Sequence, residues 1–231
     1  MGCLDCLKPP IPQEVLDAVE KIATKAGEIA NTCLTEKSNI EQKKNSLLAE
    51  RAEKIGAADK GDTGGLEKLL LEYNKKEIEI EKDFIANEAD KMHQIYKIGL
   101  EFAGPARDAT TKMLDEQLAK ANDLVKKGLQ SKLNEVKQYT PKQFLDSMYG
   151  KPLLTALENQ GMSQKLLETY KKELLDDRTQ RRKEERGKFS IAKNEFPPED
   201  DLNFVVKDVF DAVISEYQGN FVEHVRNNLL K

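Results

Sequence analysis

The chain has 231 residues, of which 34% are charged and only 6% aromatic, with no tryptophan and a net charge of −4. Such a composition suits long solvated helices and disfavours the deep aromatic pocket of many enzymes. Negative net charge argues against nucleic acid as the main partner, and no run reaches the roughly 18 apolar residues of a membrane span.

In chain order, the first feature is Met1-Gly2-Cys3-Leu4-Asp5-Cys6. Removal of Met1 would leave Gly2 with a free, unhindered α-amine, the group that N-myristoylation requires. This opening resembles the doubly acylated amino termini of Src-family kinases and of inhibitory-type G-protein α subunits, which also begin Met-Gly-Cys. The resemblance covers about the first seven residues and implies myristate on Gly2 with palmitate on Cys3 and Cys6. It implies an anchor and no activity, since no kinase or GTPase motif follows. One departure is Cys6, where the myristoylation pattern has Ser or Thr. A single myristoyl chain binds a bilayer reversibly, with K of about 10⁴ M⁻¹, so lasting attachment needs a second signal. Lys8 is the only basic residue among the first twenty, which leaves the cysteines to supply that signal. Other readings of this stretch are a frayed terminus, a redox pair or half a zinc site. The last two lack a second Cys-x-x-Cys and a surrounding βαβ pattern. Three cysteines (Cys3, Cys6, Cys33) with no secretory segment lead us to expect a reducing, cytosolic setting.

Pro9, Pro10 and Pro12 predict a short polyproline spacer. From Val15 apolar residues recur at 3–4 spacing (Val19, Ile22, Ala26, Ile29, Cys33, Ile40, Leu47), which predicts one long helix to about Ile55. Glu36 and Lys43 weaken its seam, and Cys33 reads as a small core residue. Gly56 to Gly65 predicts a loop. Gly56-x-x-x-x-Gly61-Asp62-Thr63 there is one residue from a phosphate-binding loop, but Asp62 would repel the phosphate that a lysine should hold.

A second helix is expected from Leu66 to Phe102, dense in acids (Glu77, Glu79, Glu81, Asp83, Glu88) and ended or kinked by Gly104-Pro105. A third runs to about Tyr139, with Leu114, Leu118, Leu124, Val125, Leu129, Leu133 and Val136 on one face and Lys120, Lys126, Lys127, Lys132 and Lys137 on the other. Thr140-Pro141-Lys142-Gln143 is a capping-box start. Gly150-Lys151-Pro152 interrupts that helix, and Ser163 starts another that loses its apolar face beyond Asp176. Residues 189–201 read as a linker, and the last helix is expected to run unbroken to about Leu230.

Net charge is −4 over residues 57–104, +3 over 105–152, +2 over 153–188 and −4 over 189–231. Lys126 and Lys127, with Arg178, Arg182 and Arg186 at i, i+4, i+8 spacing, could meet anionic lipid head groups. The alternatives are a solvated helix or basic helices packed against acidic ones. Catalytic chemistry has little to draw on. Asp90-x-x-His93 is half a di-iron pattern without its mate, and Asp59-x-x-Asp62 lacks the closing Glu of an EF-hand. No catalytic residue, metal or cofactor is expected.

The expectation is an all-α protein, an elongated antiparallel bundle of long helices with short connecting ones. Residues 1–12 form an acylated anchor and spacer and residues 13–231 the helical body, with a further boundary at 189–201. It would serve as a scaffold or adaptor on the cytosolic leaflet, at the plasma membrane, sensing or shaping the bilayer. Its partners would be membrane lipids, a protein of unknown identity and, in one arrangement, a second copy of itself. The alternative is a soluble coiled-coil or cytoskeletal component without a lipid anchor.

Overall fold

The computed structural model describes residues 11–59, 61–160, 164–189, 202 and 204–230, without the side chains of 164–166, 186, 188 and 189. All regular structure among the described residues is helical: α1 Gln13–Ala57, α2 Thr63–Lys120, α3 Asp123–Gln138, α4 Pro141–Asp146, α5 Lys151–Asn159, α6 Gln164–Phe189, α7 Val206–Val213 and α8 Phe221–His224, followed by a π-helical turn Val225–Leu229. The chain divides into two units. Unit 1 holds residues up to Ile29 and Gln94–Met162, and unit 2 holds Ala30–His93 and Ser163–Lys231. The expected boundary in the 189–201 linker falls on residues outside those described, apart from the last residue of α6.

In unit 1, Val15, Ala18, Ile22 and Ala26 of α1 are buried, as their 3–4 spacing demands. They belong to a core with Ile95, Ala103, Ala106 and Leu114 of α2, Leu133 and Val136 of α3, Phe144 and Leu145 of α4, and Leu153 and Leu157 of α5. Each large apolar side chain removed from water contributes about 1.5–3 kcal/mol before the entropy of ordering is charged against it. The small residues of α2 permit close approach: a Cβ on Gly99 would stand 2.3 Å from Cδ1 of Leu157. Gly99→Ala is therefore expected to cost about 1–2 kcal/mol, read as a lower urea midpoint, because Leu157 must give up its rotamer.

The expected break at Gly104-Pro105 does not occur, and α2 runs through Pro105 as far as Lys120. Pro105 and Glu101 are both exposed, so water can satisfy the Glu101 carbonyl that proline leaves without a donor. The chain turns instead at Ala121-Asn122. Asn122 is extended (φ −78°, ψ 166°), and its side chain accepts from the Val125 N–H at 3.3 Å to start α3. Arg107 Nη1 donates to the Tyr139 carbonyl at 2.9 Å, and Lys137 pairs with Asp115 at 3.6 Å, so α2 and α3 run antiparallel. Downstream, the capping box forms as expected: Thr140 Oγ1 accepts from Gln143 N–H at 3.2 Å and Gln143 Oε1 from Thr140 N–H at 2.9 Å.

Unit 2 buries Leu70, Tyr73, Phe84, Ile85 and Met92 of α2, Leu167 of α6, Val209 and Val213 of α7, and Phe221 of α8. Its last segment departs from the single helix expected. Helix α7 stops at Val213, and Gly219 adopts φ +139°, a conformation that L side chains rarely take. Asn220 then caps α8, its side chain accepting from Glu223 N–H at 3.2 Å. The amphipathic stripe is real, but the Gly219-Asn220 break lets Phe221 and Val225 meet the core from a different direction than Val209 and Val213.

Candidate functional site

Gly2, Cys3 and Cys6, the expected lipidation residues, lie outside the described residues. The five basic residues expected at lipid head groups separate into two groups. Lys126 and Lys127 are exposed at the start of α3. Arg178 and Arg182 are buried, at 2% and 8% exposure, and face the interior of unit 2. They cannot reach a lipid surface from there, which corrects the lipid reading for both. The Arg186 side chain is outside the described set.

The reason for the correction is a buried ion network. Glu77 and Glu81, one turn apart on α2, meet Lys44 of α1 at 3.3 and 3.0 Å. Arg178 of α6 faces Glu81 at 3.1 Å, and Arg181 grips both oxygens of Glu77 in a forked bond, with Asp177 alongside at 3.3 Å. Arg51 of α1 pairs with Glu185 at 2.5 Å. The i, i+4 arginine spacing is thus an inward stripe matched to an inward acidic stripe. A helix polar all round can be buried when its neighbour supplies the counter-charges. Lys44 is buried while its neighbour Lys43, which breaks the α1 seam, is exposed, so α1 turns a charge and not an apolar side chain inward here.

The two central carboxylates titrate in opposite directions. Burial pushes Glu77 up, but the Arg181 bond and charge together with Lys44 outweigh it, and its carboxyl lies below the ordinary 4.5. Burial pushes Glu81 up, and there Arg178 and Lys44 do not fully compensate, so it lies above the ordinary value. A depressed Glu77 contributes stability that is present above 4.5 and is lost as pH falls through its folded titration. Glu81 has the reverse sign: the folded chain keeps its proton to higher pH than the unfolded chain, so its contribution falls as pH rises from 4.5. Glu77→Gln is expected to lower stability by about 2 kcal/mol at neutral pH. Urea titrations at a series of pH values should show that deficit shrinking as the solution is acidified below 4.5.

A second polar group on the same helices joins Glu36 of α1 to Lys91 of α2, which also meets Glu88 at 3.3 Å. Cys33 hydrogen-bonds Glu88, and burial first, then that carboxylate, pushes its thiol up to about 12. A thiol so held stays protonated at neutral pH and is a poor nucleophile, although Cys33 is half-buried and not the core residue its stripe position implies.

The half di-iron pattern leads elsewhere. His93 is 1% exposed, its Nδ1 lies 2.8 Å from the Val213 carbonyl, and its ring stacks on Phe221 at 4.2 Å. The carbonyl is an acceptor, so Nδ1 carries the hydrogen. No group of three His, Cys, Asp or Glu side chains among the described residues could hold a metal ion. At the resembled phosphate loop, Asp62 accepts from the Gly65 N–H at 2.9 Å, so a carboxylate occupies the helix start where a phosphate would bind. A cleft of about 360 Å³ lies between α1, α2 and α6, beside Tyr170 and Phe84. Lys37 in its lining is paired with Glu173 at 2.8 Å and Lys44 with the network, so neither lysine is a free amine.

The turn between α2 and α3 faces outward and carries the most exposed large apolar side chain among the described residues. Leu124, expected on the core face, is 93% exposed, and Val125 is 48% exposed. Lys120, Lys126, Lys127 and Lys132 are exposed around them. The lysines were legible from charge counting. The exposed leucine was not, because the register changes at Asn122 and the stripe was read straight through it.

Fold and site together define an all-α protein built on two long helices with shorter connecting ones, its interior laced with ion pairs. The chain matches no protein-family model, no curated protein and no solved structure. No helix among the described residues is long and apolar enough to cross a membrane.

Proposed function

We propose that this is a peripheral membrane protein of the cytosolic leaflet, held there by myristate on Gly2 and palmitate on Cys3 and Cys6. Its helical body acts as a scaffold or adaptor. The observation that carries this reading is the Met-Gly-Cys opening with a second cysteine at position 6. It is supported by the eleven residues from Gly2 to Pro12 ahead of α1, which begins at Gln13. Extended, they reach at most about 40 Å, enough to let the body stand clear of the head groups.

Intact-mass measurement on protein from its native cell tests this directly. The expected gain is about 210 Da for myristate and about 238 Da for each palmitate. Gly2→Ala should abolish the first gain and move the protein from the membrane pellet to the supernatant. Palmitoylation follows membrane contact, so the second gain should fall as well. A free or acetylated amino end on pelleted, native protein would refute the anchor.

A further inference from the structure

The α2–α3 turn carries a surface that an acyl anchor does not account for. At about 100° per residue, Leu124 lies half a turn away from Leu133, nine positions on, and Leu133 is buried. Leu124 therefore points directly away from the seam of α3. Gly128, one turn later on the same face, has open space where a Cβ would stand. Residues 118–132 hold four lysines and one acid, Asp123. Lys137, deeper in the hairpin, is paired with Asp115 at 3.6 Å. Lys120, Lys126, Lys127 and Lys132 form no ion pair with another described residue.

We propose that this hairpin tip is a second membrane contact, in which Leu124 and Val125 enter the head-group region of an anionic bilayer while Lys120, Lys127 and Lys132 face lipid phosphates. Two apolar side chains are far too little area for a stable protein interface, which needs about 1,000 Å². A bilayer has no such threshold. It takes up single apolar groups, and flexible lysine stems lie along its surface with their charges at the phosphates. The charge is complementary, each lysine near an anionic leaflet strengthening binding about fivefold. The proposal rests on the anchored reading in one respect: the tip supplies the second signal that one myristoyl chain needs, so attachment need not depend on both cysteines.

The test uses the full chain produced without an acyltransferase, its amino end confirmed by intact mass. Since the protein has no tryptophan, Leu124→Trp is a clean reporter. With phosphatidylcholine vesicles holding roughly one-third phosphatidylserine, its emission should shift to the blue and be quenched by brominated acyl chains. Pure phosphatidylcholine should leave it unchanged. Adding Lys127→Gln and Lys132→Gln should weaken partitioning about thirtyfold. Met148→Trp, at a position 64% exposed elsewhere in the same unit, serves as control and should not respond. An unmoved Leu124→Trp emission on anionic vesicles, or an equal response from the control, overturns the proposal. So does a tip that binds a soluble protein and ignores vesicles. If acylated protein floats with vesicles while the tip reporter is silent, the tip fails and the anchor stands. If the tip responds while native protein carries a free amino end, the anchor fails alone.

Discussion

Arg178→Ala is expected to destabilise unit 2 by about 3–5 kcal/mol, an effect far outside that of an ordinary surface arginine. Arg178 is 2% exposed and Glu81 0%, so removing the guanidinium leaves a buried carboxylate paired, among the described residues, with Lys44 alone, which it already shares with Glu77. The cost lies in the stranded charge more than in the lost bond. That distinction is itself measurable. Arg178→Met combined with Glu81→Met removes both charges and fills the volume, and should recover most of the loss, because apolar replacement of a buried pair is near neutral. Urea midpoints followed by circular dichroism give the size. Hydrogen exchange should place the faster opening in α6 and the 63–93 part of α2. A loss of under about 1 kcal/mol for Arg178→Ala would mean that the arginine is solvated after all.

Gly150→Ala is expected to cost about 3 kcal/mol for a different reason, purely steric. A Cβ at that position would stand 2.0 Å from the Phe144 carbonyl oxygen and 2.7 Å from the Leu145 Cα. Both are backbone atoms, so no rotamer change relieves the clash. Phe144 and Leu145 are themselves buried, at 0% and 1% exposure, which blocks the helix from backing away. Gly150 has ordinary helical angles (φ −85°, ψ −12°), so it is the approach of α4 that demands glycine there and not backbone conformation. Thermal unfolding should show the lowered midpoint, and Gly128→Ala, whose Cβ meets nothing, should leave stability unchanged or slightly raised.

Arg178 and Gly150 both depend on contacts that local sequence does not specify. Gly150 was visible as a helix interruption between Phe144 and Leu153, and the interruption is there. The backbone it touches was not visible, since that depends on how α4 folds back. Arg178 and Arg182 were visible as a helical stripe, and the stripe is there too. A polar stripe ordinarily faces water, and this one faces inward. The acids of α2 form a dense run in the sequence, compatible with basic helices packed against acidic ones. That packing is fixed only where Glu77 and Glu81 lie opposite Arg181 and Arg178. Pro105 was a similar case: a proline ends a helix unless the freed carbonyl is hydrated and the flanking turns are held by core residues such as Ala103 and Ala106. The Gly219-Asn220 break leaves no mark on the apolar period, which continues through it.

Periodicity, caps and composition were enough to determine an all-α chain, the span of α1, the capping box at Thr140 and the short helices around Gly150. Those signals act through neighbouring residues, and a few turns of helix are settled by their own bonds and by which side is apolar. Only the tertiary structure decided which charged faces were buried, where α2 ended and which way Leu124 pointed. Each of those depends on a partner far away in the chain, and a charge or a leucine has no inherent direction until something stands opposite it.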